Sequence, residues 1–454
     1  ITGGGFSGTT RQAGGDYNVA IGISALGTDT LGSKSVAIGA ETLTTQNFTS
    51  ATDTYNTAVG YAAGRVISTG AQNTLIGGLA GDAINTASAN VALGYLALST
   101  ETKGEQSVAV GWAALQNQNQ SSSANAYNTA VGSQAGRYIS TGTENTLIGG
   151  LAGDALTVAF YNTAVGYNAL TQDLKGVGNT AIGHGTLATQ QFGGSTNSNN
   201  TAVGLAAGTG ITTGIKNTLI GALVGDALAD ADENVAVGWG ALSTDTLGSG
   251  SVAIGKDALV SQNFDSATVT HNVAVGLGAG LAVTTGTQNT LLGSGAADSL
   301  QTGHYNTTVG YQALQNEDAT SANTALGFRA LYSMDGGLAG NTAVGAEAGF
   351  SLTNASGLVA IGYQASYSGT GADGVTAVGY GAGKFQTTSA YSTFVGHQAG
   401  QGITGTKLTG NNNTALGKDA GLLLQGAAAQ NVLIGAQAGD ALTTGSENIL
   451  IGMR

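Results

Sequence analysis

Asn18-Val19-Ala20-Ile21-Gly22 begins a five-residue unit that returns twenty-five times, the last copy being Asn448-Ile449-Leu450-Ile451-Gly452. Most copies start seventeen residues after the one before. A fixed period held along a chain is the mark of a solenoid, in which each repeat stacks on its neighbours. Position 2 of the unit is Val, Thr or Ile in every copy, position 4 is Val, Ile or Leu, and position 5 is always Gly. β-Branched residues two apart make a strand with one buried face. The pattern is therefore read with positions 2 and 4 inside each coil, Val165, Ile182 and Ile220 among them. Position 3 points the other way and is Ala in seventeen copies, which implies tight packing of that face at a seam between chains. A helix is excluded, because an obligatory Gly and alternating β-branched residues break helical preference in each copy.

The residues after the Gly vary twice and then settle on Ala followed by Leu or Gly, as in Tyr167-Asn168-Ala169-Leu170 and Tyr61-Ala62-Ala63-Gly64. This predicts a turn, a second short strand and a polar return. The Gly of position 5 is expected in a conformation closed to other residues, or beside a closely approaching neighbouring chain. The Asn of position 1 occurs in nineteen copies and Ser in four, which predicts a ladder of side-chain amides along the stack. Twenty-four steps of roughly 4.8 Å would make a rod on the order of 115 Å. A slower beat overlies the first. Spacings of 17, 17, 17 and 21 place a long return every 72 residues, after Ser35, Ser107, Asn179 and Ser251. Position 3 becomes Leu on the same beat, at Leu75, Leu147, Leu219 and Leu291. The beat falters after Asn323.

Composition agrees with one repetitive body, a lead-in over residues 1–17 and a continuous repeat domain over 18–454. Glycine is abundant at 77 residues, proline and cysteine are absent, and charged residues are 9% of the chain. Missing proline suits a ladder that needs every backbone donor, and missing cysteine excludes disulfides and thiolate metal sites. The net charge of -13 is scattered and argues against a nucleic-acid partner. No apolar run reaches the eighteen or so residues needed to span a bilayer, so no membrane insertion is expected. The first and last residues read as cuts through a longer repetitive protein.

A coil of seventeen residues encloses little, and the Ala strip on its other face is more apolar surface than soluble monomers usually expose. Closing chains about an axis would bury it, and a homotrimer is the expected state, with the four Leu residues as larger plugs at the seam. The recurring Asn-(Ser/Thr)-(Val/Ala)-(Ala/Val)-(Ile/Val)-Gly wording resembles the head repeat of trimeric autotransporter adhesins. That resemblance implies a left-handed parallel β-roll built as an intertwined trimer. That family's repeats are typically shorter, and its stalk and anchor are not among these residues. The longer run Asn306-Thr307-Thr308-Val309-Gly310-Tyr311-Gln312-Ala313-Leu314 is similar to repeats of phage tail fibres. It implies an extracellular fibre or adhesin, without catalysis, that attaches to cell-surface receptors such as glycans and multiplies weak sites by avidity. The alternative is a self-assembling extracellular filament whose open coil ends stack on one another.

Chemistry has few candidates. Four histidines and dispersed acids point to no active site, no metal and no cofactor. Asp82, Asp154, Asp226, Asp298 and Asp440 share one phase of the repeat but stand too far apart to share an ion. Gly193-Gly194 and Gly336-Gly337 are loop glycines rather than phosphate cradles. The residue after the invariant Gly, position 6, is aromatic or His in eleven copies. Tyr95 with Trp112, Tyr311 with Phe328, and Tyr363, Tyr380 and His397 in succession are its runs and the candidate receptor or glycan contacts. The competing reading is that these rings pack on one another or cover a seam. Ice binding by a Thr face is disfavoured, because Thr57, Thr74, Thr129 and Thr146 alternate with Val at a position read as buried.

Overall fold

The computed structural model describes residues 15–335 and 339–454, so Gly336-Gly337 and most of the lead-in lie outside the described residues. The chain is an all-β parallel solenoid of twenty-five coils, one three-residue strand to each, with no helix among the described residues. It divides into two compact units, Ile1–Ala231 and Asp232–Arg454, carrying twelve and thirteen of these strands. Strands pair in parallel and in register, so like meets like: Thr163 lies beside Thr180, Ala164 beside Ala181 and Val165 beside Ile182.

The face assignment expected from the pattern is inverted. Ala164, Ala181 and the other Ala residues of position 3 beyond Ala20 are fully buried within the coil, while Ile182 is 38% and Ile220 42% exposed. Val165 is half-buried on the same outward side. The reason lies in what else enters the coil. Position 8 sends in Ala (Ala169), position 9 Leu (Leu170) and position 12 a large aliphatic (Ile67, Ile139, Leu156), all fully buried. Where position 9 is Leu these fill the narrow interior, and the strand adds only a methyl group. Leu75, Leu147, Leu219 and Leu291 are likewise interior residues, not plugs between chains.

Directly after the Gly no second strand forms among the described residues. The chain turns instead through left-handed residues at positions 7 and 9, such as Leu151 (φ 59) and Leu170 (φ 54). Each turn still bonds to the one below, as where Leu79 N donates to Tyr61 O at 2.9 Å. The Gly of position 5 meets both expected conditions, except that the close neighbour is the next coil of the same chain. Gly149 has φ 131, and a Cβ on it would stand 2.5 Å from the Gly166 carbonyl oxygen.

The Asn ladder forms as expected. Asn145 Nδ2 donates to Asn128 Oδ1 at 3.0 Å and to Ala159 O at 3.0 Å, and Asn162 N donates to Asn145 Oδ1 at 3.1 Å. Each amide thereby satisfies backbone groups buried at the corner of the coil. The long returns add four small parallel sheets, for example Gly104–Glu105 with Ala124–Asn125 and Gly176–Val177 with Thr196–Asn197.

Candidate functional site

Because positions 2 and 4 face outward, each unit presents a flat strip of Thr and Val beside a strip of Val, Ile and Leu. Position 4 is the more open row, with Ile76, Ile148 and Ile254 all over a third exposed. Position 2 is half-buried in most coils whether it holds Thr or Val, and exposed at Val19, Thr307 and Thr393. The argument from burial against an ice-binding Thr face therefore does not stand, and the chemistry that now separates the readings is the Ile and Val row alongside.

Position 6 stands at the corner where this strip meets the turns, and its rings are exposed. Tyr311 stacks on Phe328 with centroids 5.9 Å apart and an interplanar angle of 10°. Tyr363 stacks on Tyr380 at 5.3 Å, and Tyr380 on His397 at 5.1 Å. Tyr167 and His184 form a further pair at 5.5 Å. Within such a stack the ring faces cover one another, so solvent meets mainly ring edges. Tyr95 is exposed, and Trp112 carries the Arg137 guanidinium 5.8 Å from its ring. His397 also approaches Asp419, Nδ1 to Oδ1 3.6 Å. A second row escaped the sequence reading. Tyr332, Phe350 and Tyr367, at position 10 of three successive coils, stack at 5.1 Å with planes within 5° of parallel. Its signal was the same phase recurring three times.

Asp82, Asp154, Asp226, Asp298 and Asp440 also hold position 10, where they are partly buried. Burial pushes the carboxyl pKa of the first four upward, opposed at Asp82 by the Arg65 charge and at Asp154 by a hydrogen bond from Thr171. Asp154 and Asp298 bond to the neighbouring turn, Thr171 Oγ1 donating to Asp154 Oδ1 at 2.6 Å and Gln315 Nε2 to Asp298 Oδ2 at 3.1 Å, while Asp226 Oδ1 is buried with no partner.

A second set of acids on the 72-residue beat was legible and missed: Asp29, Glu101, Asp173, Asp245 and Glu317. The last four are fully buried, Glu101, Asp173 and Asp245 at long returns and Glu317 where the beat falters. Glu101 Oε1 accepts from the backbone N–H of Thr102, Lys103, Gly104 and Gln120, and Glu101 Oε2 accepts from Gln118 Nε2 at 2.9 Å. Gln118 Oε1 in turn accepts from Asn128 of the ladder at 2.8 Å. Gln46, Gln190 and Gln262 do the same for their acids. These carboxylates are consumed in closing the return loop. Their role is structural.

Among the described residues no group of three or more His, Asp or Glu is gathered closely enough to hold a metal ion. Compared with protein-family models, with curated proteins and with solved structures, the chain matches none.

Proposed function

We propose that this chain is a non-enzymatic, fibre-forming structural protein that works as a homotrimer outside the cell, as the shaft or head of a tail fibre or surface adhesin. The observation that carries the reading is the outward strip of position 4, a row of Val, Ile and Leu left open along each unit. Exposed apolar surface continuous over many coils is the kind that other copies cover. Like-on-like register makes such a strip self-complementary under rotation about a parallel axis. The number three follows the resemblance to trimeric adhesin heads. This strip, rather than the buried Ala face, is the surface that the other copies would cover. Repetition then supplies function, because many weak attachment sites on one body bind by avidity.

Sedimentation equilibrium at micromolar concentration tests the assembly. A mass three times that of the chain is expected. A folded single chain sinks the proposal. A mass that climbs without limit favours the self-assembling filament.

A further inference from the structure

We infer that the break in the position 6 row at Ala346 is a binding slot for one pyranose ring of a saccharide. The inference rests on the reading above only in making the solenoid a carrier of attachment sites. Tyr311 and Phe328 form one stack, and Tyr363, Tyr380 and His397 form another. Between them position 6 is Ala346. Phe328 and Tyr363 are therefore the ends of two stacks on either side of the same coil, with the Arg329 guanidinium 5.1 Å over the Phe328 ring. Both rings are 44% exposed.

The gap has a size. Two coil steps separate the rings by about 10 Å. Van der Waals contact takes about 3.5–4.0 Å at each face, which leaves room for a puckered saturated ring and more than a planar one needs. A pyranose presents C–H groups on its faces and hydroxyls around its rim, so two aromatic walls and a polar border are its complement.

The border is present on the turn side of the slot. Arg329, Glu347 and Gln364 occupy position 7 on the three coils concerned. Gln364 Nε2 donates to Glu347 Oε2 at 2.7 Å. Arg329 Nε donates to Gln312 Oε1 at 2.9 Å, while its guanidinium lies 5.1 Å from the Phe328 ring and 5.2 Å from Tyr332. No carboxylate pairs with Arg329 among the described residues, so its terminal N–H groups remain as donors. Behind them Tyr367 closes the row of Tyr332 and Phe350. Burial raises the Tyr367 hydroxyl pKa, and the nearby charge of Glu347 acts in the same direction. The gap at Gly78, between Tyr61 and Tyr95, is bordered instead by Ala62, Leu79 and Leu96 and lacks the polar rim. Every polar partner at Ala346 comes from a turn, so the slot does not depend on the strip proposed for assembly.

The test uses the full chain on an array of immobilised hexopyranose and hexuronic-acid oligosaccharides, followed by titration of the best ligand. Wild type is expected to retain a saccharide. Ala346→Tyr, which completes the aromatic row, should weaken it by roughly tenfold or more without lowering Tm. Glu347→Gln should weaken it as well. Overturning results are a folded wild type that retains no saccharide, or retention that Ala346→Tyr leaves unchanged. Sedimentation of the same preparations reports assembly separately, so a single-chain mass with intact Ala346-dependent binding rejects the trimer and keeps the slot.

Discussion

Leu147 and Gly153 share the space of one side chain: a Cβ on Gly153 would come within 2.8 Å of Leu147 Cδ2. Gly136, one coil earlier, stands in the same relation to Leu147 Cδ1 at 2.7 Å. The pattern repeats at other large residues of position 3, although Leu291 has Gly280 on one side and Ala297 on the other. Leu75 lies between Gly64 and Gly81, Leu219 between Gly208 and Gly225, and Phe394 between Gly383 and Gly400. Where position 3 is Ala on both sides, position 9 is mostly Leu, as at Leu98 and Leu115, with Gly349 and Ser366 as exceptions. Most layers of the core thus receive one large group from either the strand or the turn.

Leu147→Ala should lower stability by about 2–5 kcal/mol through lost burial and a cavity. Adding Gly153→Leu should recover much of that loss, since Leu already occupies this left-handed position at Leu98, with φ 54. Chemical denaturation of the single and double variants checks the exchange. A double variant weaker than Leu147→Ala would show that the two sites do not share volume.

Ile182→Ala, at an outward position, should change the stability of the isolated chain far less than Leu147→Ala does, by about 1 kcal/mol or less. Ile182→Lys together with Ile220→Lys should leave the fold intact by circular dichroism and reduce the sedimenting mass to that of one chain. An unchanged mass would place the contact between copies elsewhere.

Met334→Gln should stabilise the second unit by about 0.5–1.5 kcal/mol. Met334 stands where Gln46, Gln118, Gln190 and Gln262 stand on the 72-residue beat. Without an amide there, Glu317 Oε2 is buried with no hydrogen-bond partner, and Asn341 Nδ2 faces the Met334 sulfur at 3.9 Å. The Gln side chain would supply a donor to the first, while Asn341 Nδ2 already donates to Asn323 Oδ1 and Ala355 O. A lowered melting temperature would show that the thioether's packing matters more than the missing bonds.

Asp173 gives a pH dependence of unusual sign. Burial raises its pKa, only partly offset by hydrogen bonds from Gln190, Gly176 and Lys175. The folded chain therefore binds this proton more readily than the unfolded chain, and the contribution to stability falls as pH rises. It is fully favourable below the unfolded value, near pH 4, and is lost as pH climbs through the raised folded value. The melting temperature of Asp173→Asn relative to wild type should accordingly improve between about pH 4 and pH 7. A relative loss over that range would mean the ionised form is the better accommodated one.

The seventeen-residue beat, the strand at each repeat, the parallel stacking, the Asn ladder and the obligatory Gly were all determined by sequence, because each is a local or periodic property. Alternation likewise placed positions 2 and 4 on one face and position 3 on the other. Which face turned inward was not a local matter. Ala164 went inside and Ile182 outside because Ala169, Leu170 and Leu156 arrive from the turns to claim the same narrow interior, and only closure of the coil brings them together. The aromatic row could be counted along the chain, but mutual stacking at about 5 Å, and the gap it leaves at Ala346, exist only once successive coils lie one strand spacing apart.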